Sequence, residues 1–561
     1  MEKCEMTGSE ILLKSLEKHN VELIFGYPGG AVLPIYDTLF DASIPNILTR
    51  HEQGAVHAAE GYAKASGKAG VVIVTSGPGA TNAVTGIADA MSDSVPLIVI
   101  TGQVGVPGIG KDAFQEADIL GITLPITKHN YQVRDVKDIE KVMDEAFHIA
   151  TTGRKGPVVI DMPKDISNSK AVWEDRNKAI NLISYQPNVK PSSLQLKKVM
   201  QQLQQAQKPL VLAGAGVIAA EATDEFREFI ERYHLPVVST LLGLGVLPST
   251  HPAFMGMGGM HGSYAANMAL EECDFLLNIG SRFDDRLATC PASFASNAVV
   301  AHIDIDPAEI GKIIPTEIPI VADAKRALAA LLQFDSFEIS DQAWLALCNN
   351  RKQAHPFTYE KTDTEIKPQR VIEKVGEITR GEAYVITDVG QHQMWAAQFY
   401  PVKFAHQFIT SGGLGTMGYG IPAGIGAQFA KPDQQVVVFV GDGGFQMTNQ
   451  EFAILNQYQL NVKFILMNNK SLGMVRQWQE TFHGGRHSAS VFNEQPDFIK
   501  LAAAYGIKGV KISDAKTFDE QLEKAFTTAG PLLIDVLVSP TEHVLPMVPA
   551  GQANHLMIGV D

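Results

Sequence analysis

Short apolar runs, each closed by a glycine turn and followed by residues at helical spacing, recur along this chain. GVVIVTSGPGATNAV from Gly70, PLVLAGAGVIAA from Pro209, DFLLNIGSRF from Asp274 and QVVVFVGDGGF from Gln435 show the rhythm most clearly. Apolar runs without polar alternation read as strands buried on both faces. Their alternation with helices predicts an α/β protein with mainly parallel sheets flanked by helices. Two polar stretches break the rhythm and read as linkers: about 165–193, with SNSKAVWEDRNK and YQPNVKPSS, and about 336–370, with NNRKQAHPFTYEKTDTEIKPQR. They divide the chain into three consecutive domains at 1–165, 190–335 and 370–545, followed by a C-terminal tail at 546–561. The first and third domains share a strand, glycine turn and helix start (TSGPGATN and GDGGFQMTNQE), a similarity too short to establish duplication.

A chain of 561 residues exceeds what one hydrophobic core organises, in line with that division. Against 46 basic residues stand 61 acidic ones, a net charge of −15 that argues against nucleic-acid or anionic-membrane partners. No apolar run reaches the roughly 18 residues of a membrane span. Cys4, Cys273, Cys290 and Cys348 form no CxxC pair, which speaks against a zinc site or a disulfide framework. The start, MEKCEMTGSEILLKSLEKH, lacks the apolar core of a secretion signal, and a cytoplasmic setting is expected.

The strongest chemical signal lies in the third domain. The run VVVFV ends in Gly441-Asp442-Gly443, and a second run, VKFILM, ends in Asn468-Asn469. Parallel sheets bind ligands beyond the carboxyl ends of their strands, so both clusters fall on a binding edge. Glycines there admit phosphate close to backbone N–H groups, and the helix expected to follow, FQMTNQEFAIL, offers its positive end. Asp442 and Asn469 supply the few hard oxygens that a phosphate-bound magnesium ion asks of a protein. A lone Gly-Asp-Gly is ordinary turn chemistry; the paired asparagines make it a metal–diphosphate anchor.

Gly-Asp-Gly followed by Asn-Asn is similar to the motif of thiamine-diphosphate enzymes. That resemblance implies that Asp442, Asn469 and the Ser471 carbonyl hold the metal, with Gly441, Gly443, Gln391 and His392 around the diphosphate. Activation of thiamine needs a carboxyl group on pyrimidine nitrogen N1′ in a water-poor pocket. Arg50-His51-Glu52-Gln53 resembles the segment that carries this acid, which makes Glu52 the candidate; taken alone it would merely cap or decorate a helix. Glu52 and Asp442 lie in different domains, and in this superfamily such groups usually meet between subunits, so a homodimer or homotetramer is implied.

The resemblance narrows further. FGYPGGAVLPIYD, RHEQGAVHAAEGYA, TSGPGATNAVTGIADA, KDAFQEAD, GPVVIDMPKD, GMHGSYAANMA, RFDDR, GGLGTMGYGIPA and GMVRQWQ, in order over nearly the whole chain, resemble catalytic subunits of the acetohydroxyacid (acetolactate) synthase family. It implies that Gly30 lines the cofactor and that Gly415 and Met417 contact the aminopyrimidine. Phe114, Gln115 and Lys164 would face the substrate channel, and Arg286, Met474 and Trp478 would select the second ketoacid. Read without the resemblance, Arg286 is a surface ion-pair partner and Trp478 a core aromatic. The Gly214-Ala215-Gly216 turn is a weak dinucleotide signal by itself. With GMHGSYAANMA, GSRFDDR and AHIDIDP it implies FAD contacts at Arg154, Gly214, Gly216, His261, Gly280, Arg282, Asp304 and Asp323, the flavin being structural.

The implied reaction is decarboxylation of pyruvate and condensation with a second 2-ketoacid. Pyruvate gives 2-acetolactate and 2-ketobutyrate gives 2-aceto-2-hydroxybutyrate, the first common step of branched-chain amino-acid biosynthesis. A small regulatory subunit is a further implied partner. The competing readings are a pyruvate oxidase-like flavoprotein, a flavin-independent catabolic acetolactate synthase, and a non-catalytic relative. One departure from the family pattern, Gly102-Gln103-Val104-Gly105-Val106-Pro107, bears on inhibitor sensitivity rather than on the chemistry.

Overall fold

The computed structural model describes residues 5–173, 180–337 and 343–560; Cys4 and parts of both expected linkers lie outside the described residues. Its organising elements are three six-stranded, wholly parallel sheets spanning residues 24–163, 209–321 and 384–537. A short antiparallel pair joins Glu5–Thr7, at the start of the first domain, to Lys170–Val172, so the first part of the stretch expected to be a linker from about 165 belongs to the first domain. The apolar runs form central strands without one exposed residue: Gly70–Val74, Pro209–Ala213 and Phe275–Ile279.

Numbered within each sheet, the strand order is 2-1-3-4-6-5 in both the first and the third sheet. The short turn similarity between those domains therefore extends to a shared topology. The central sheet runs 3-2-1-4-5-6, the order of dinucleotide-binding folds. Sheets of this kind leave a crevice where the strand order reverses, and each domain presents such an edge.

The first and third domains pack through the helices Glu52–Ser66 and Gly420–Ala430. Glycine makes this approach possible. A Cβ on Gly426 would stand 1.8 Å from the Ala58 carbonyl oxygen, and one on Gly61 would stand 2.1 Å from that of Ala423. One apolar core accordingly runs through both domains, from Phe25 and Val72 to Ile425 and Phe464.

Two further expectations come out differently. The polar stretch about 336–370 contains a helix, Ala343–Ala354, docked on the central domain. Its buried Trp344 donates Nε1–H to the Pro209 carbonyl at 3.0 Å. Only Trp344 and Cys348 of that helix are buried, too few to show as an apolar stripe in sequence. The single helix expected after Gly441 is three pieces: Asp442–Thr448, a 3₁₀ turn at Asn449–Glu451, and Phe452–Tyr458. The turn lets Glu451 reach back to accept the Arg50 N–H at 2.9 Å, a tertiary bond invisible to local pattern.

Candidate active site

At the carboxyl edge of the third sheet, three strand ends converge. Gly390 to His392 follow Tyr384–Thr387, Asp442 follows Val436–Gly441, and Asn469 to Ser471 follow Val462–Asn468. Asp442 is buried and accepts Gln495 Nε2–H at 2.6 Å and its neighbour Gly443 N–H at 2.9 Å. Burial pushes its carboxyl up to about 6, against the hydrogen bonds from Gln495 and Gly443 that lower it. Asn469 Oδ1 accepts the Ser471 N–H at 3.1 Å, and its Nδ2 donates to Gln391 Oε1 at 3.3 Å.

His392 lies against Gly390 and Gly441, where an added Cβ would meet its ring at 3.2 and 3.0 Å. Burial lowers this imidazole to about 4, so it is neutral, and its Nε2 has no hydrogen-bond partner. Ser471 Oγ is likewise buried without a partner. Unsatisfied buried polar atoms beside a carboxylate and an amide oxygen suit a ligand rich in acceptors and bearing a divalent cation. The residues fit magnesium diphosphate.

Beside this cluster, Gly415 adopts φ +71°, and a Cβ on Gly443 would stand 3.3 Å from Met417 Cε. Gly415 and Met417 line a cavity of about 1530 Å³ that continues across the carboxyl edge of the central sheet. Gly216, Gly280, Arg282, Asp304, Asp323, Arg154 and His261 line it, as do Arg286, Met474 and Trp478. Its volume exceeds the roughly 300–1,000 Å³ of an ordinary ligand site, in keeping with a cofactor plus a reaction chamber.

Gly214 is the one expected flavin contact that does not line the cavity. It packs behind the wall, where a Cβ would stand 2.2 Å from the Gly280 carbonyl oxygen. A Cβ on Gly216 would likewise stand 2.6 Å from the Gly280 Cα, so the turn needs both glycines for close approach to Gly280. Arg154 is held by Glu309 at 2.9 Å, Asp306 at 3.3 Å and Ser94 Oγ at 2.9 Å. Burial, then the nearby Arg286, lowers His261 to about 4, and its Nδ1 has no partner. A neutral, half-satisfied imidazole on a dinucleotide-type sheet fits a flavin dinucleotide. Leu242 and Gln393, also in the lining, carry no motif that sequence could have singled out.

The remaining candidates gather at the carboxyl edge of the first sheet and do not line this cavity. Glu52, buried at the first position of its helix, accepts Asn82 Nδ2–H at 3.0 Å. Gly79 and Thr75 pack beside it, and an added Cβ on Gly30 would meet open space. Gln115 has φ +59°, and a Cβ added to Gly77 would stand 2.7 Å from its carbonyl oxygen. Phe114 is 88% exposed and Lys164 is exposed at the start of the helix Lys164–Asn168.

A hard-oxygen cluster on one parallel sheet, a dinucleotide-type sheet beside it and a buried acid on a third define a thiamine-diphosphate enzyme with a flavin-type central domain. Family profiles agree: the N-terminal TPP binding domain of thiamine pyrophosphate enzymes matches residues 6–122, the central domain 196–331 and the C-terminal TPP binding domain 388–536. The chain is 57% identical to the acetolactate synthase large subunit of Lactococcus lactis subsp. lactis (strain IL1403), over 99% of this chain and 96% of the relative. It is 46% identical to the probable acetolactate synthase large subunit of Methanocaldococcus jannaschii, covering 97% and 94%. With the acetolactate synthase isozyme 3 large subunit of Escherichia coli (strain K12) it shares 45%, covering 97% and 96%. The chain belongs to the acetolactate synthase large-subunit family of thiamine pyrophosphate enzymes.

Proposed function

We propose that this enzyme condenses pyruvate with a second 2-ketoacid, releasing carbon dioxide. The products are 2-acetolactate from pyruvate and 2-aceto-2-hydroxybutyrate from 2-ketobutyrate, at the entry to branched-chain amino-acid biosynthesis. The observation that carries this reading is the pairing of Arg286 and Trp478 in the same cavity as Met417. A guanidinium can hold a ketoacid carboxylate bidentately while the indole packs on its alkyl group. An oxidase has no use for a second acceptor site of this kind.

Asp442, Asn469 and Ser471 would hold the metal and diphosphate, with Gln391 and His392 closing the other side. When bound, thiamine diphosphate supplies the electron sink for decarboxylation. Met417 and Gly415 would orient the pyrimidine, and Glu52 would hold or yield a proton at its N1′. Gly30, Gln115, Phe114 and Lys164 shape the channel and exclude water. Arg154, Gly216, His261, Gly280, Arg282, Asp304 and Asp323 would hold FAD, with Gly214 supporting the turn from behind.

Completion of the site calls for a second copy of the chain. Glu52 and its neighbours lie outside the cavity that contains Met417, Arg286 and Trp478, so a partner's first domain would close it. Exposed Leu33, Phe114 and Leu124 on the first domain and Leu414, Met447, Val475 and Val491 on the third supply apolar surface for that contact. The relatives are named large subunits, and a smaller regulatory partner accords with that name. Among the described residues no helix is long and apolar enough to cross a membrane, and we place the enzyme in the cytoplasm.

The test is product analysis from pyruvate alone, without an electron acceptor. Acetolactate formation is expected. Bleaching of the flavin by pyruvate, with acceptor reduction and no acetolactate, would instead establish an oxidase.

A further inference from the structure

The loop 411–418, which brings Gly415 and Met417 to the cavity, is held by the first domain as well as by its own. From the helix Val84–Asp93, Asp93 accepts the N–H groups of Gly412 at 3.0 Å and Gly413 at 2.7 Å. Asp89, on the same helix, accepts the Ser411 Oγ–H at 2.7 Å. Ser411 Oγ then accepts the N–H of Thr416 at 2.9 Å, the residue between Gly415 and Met417. Asp388 holds the far end of the loop through the N–H of Gly418 at 3.0 Å and of Gly420 at 2.8 Å. Asp89 and Ser411 are both fully buried, so water cannot substitute for either.

A hydroxyl has one proton. Because the Asp89 carboxylate takes it, the Ser411 lone pairs face Thr416, and the turn around Gly415 closes. We propose that Asp89 is a positioning residue: by orienting the Ser411 hydroxyl it sets the conformation of the loop 411–418, and through it the affinity for thiamine diphosphate. This rests on the reading of Gly415 and Met417 as pyrimidine contacts.

The two oxygens of Asp89 have separate surroundings, which makes the idea testable. Oδ1 serves Ser411; Oδ2 has no hydrogen-bond partner and faces His57 Nδ1 at 3.8 Å. His57 Nδ1 is bonded to Glu60 at 2.8 Å, while Lys64 is paired with Asp93 at 2.7 Å and lies over the Tyr419 ring. An asparagine keeps the acceptor for Ser411 and replaces Oδ2 with an amide nitrogen. An alanine discards both.

The experiment titrates thiamine diphosphate with Mg²⁺ into full-length, FAD-loaded, thiamine-free enzyme, following tryptophan fluorescence. FAD retention is measured in parallel. Asp89→Ala is expected to weaken thiamine diphosphate binding about tenfold, the worth of one buried hydrogen bond, with FAD retention unchanged. Ser411→Ala should match it, and it carries the same prediction should Asp89→Ala fail to fold. Asp89→Asn should stay within about twofold of wild type, since it preserves the acceptor. Wild-type affinity in both Asp89→Ala and Ser411→Ala would overturn the proposal. So would an Asp89→Asn variant as weak as Asp89→Ala, because something other than the acceptor for Ser411 would then be the cause. A wild-type enzyme that fails to bind thiamine diphosphate would refute the cofactor reading itself.

Discussion

Arg286 stands with its guanidinium 5.9 Å over the ring of Trp478, joining the central domain to the third across the cavity. A cation over an indole face is oriented by the ring's quadrupole; Arg286 Nη1 donates only to the weak acceptor Met260 Sδ, at 3.5 Å, a bond that a carboxylate would displace.

Replacing Arg286 with alanine should therefore raise the KM for the second ketoacid at least about tenfold, the loss of a charge-assisted bond. Thiamine diphosphate affinity should stay at the wild-type value. Trp478→Ala should shift mixed-substrate product toward acetolactate, because the alkyl packing that favours 2-ketobutyrate is gone. Competition between pyruvate and 2-ketobutyrate, with both products quantified, measures this directly.

Glu52→Gln keeps the shape of the side chain and removes its proton chemistry. Turnover should fall by about 10²–10⁴-fold, the usual worth of a general acid–base group. Circular dichroism and FAD content should remain those of wild type, because Glu52 bonds only Asn82 among the described partners of its carboxylate. Near-normal turnover would remove Glu52 from the mechanism.

Asp442→Asn should weaken Mg²⁺–thiamine diphosphate binding by about ten- to a hundredfold, since a charged ligand becomes neutral. The carboxylate lies on the third sheet, outside the central domain, so FAD binding should not change. Isothermal titration with each cofactor separates the two. Loss of both together would mean that the variant is misfolded.

The helix contact between the first and third domains is the most sterically constrained place in the fold. Gly426→Ala should destabilise the protein by about 1–3 kcal/mol, because the new methyl meets the Ala58 carbonyl and the helices must separate. A lowered thermal midpoint with cofactors bound is the readout. An unchanged midpoint would show that the helices can part without cost.

Asp161 gives a pH signature. It is fully buried, bonded to Thr101, Gln103 and Gln132, and burial raises it to about 6. Its folded value lies above the unfolded one, so its contribution is most favourable below about pH 4 and is lost as pH rises through about 6. Asp161→Asn removes this dependence. The difference in thermal midpoint, variant minus wild type, should grow more positive from pH 4.5 to pH 7. A difference independent of pH would mean that Asp161 does not titrate there.

The local record was legible before any coordinates. Uninterrupted apolar runs become the central strands, since burial on both faces leaves no place for a polar residue. Asp442, Asn469 and Ser471 converge because the ends of neighbouring parallel strands lie side by side, a consequence of sheet geometry that spacing alone conveys. Tertiary structure decided the rest. It placed Gly214 behind the cavity wall and docked the polar helix Ala343–Ala354 through Trp344. It broke the helix after Gly441 so that Glu451 meets Arg50, and it put Asp89 under Ser411. Each of these depends on contacts between residues far apart along the chain, for which a sequence pattern has no period. Burial is encoded locally and repeatedly, whereas the meeting of two particular side chains is settled only when whole domains pack.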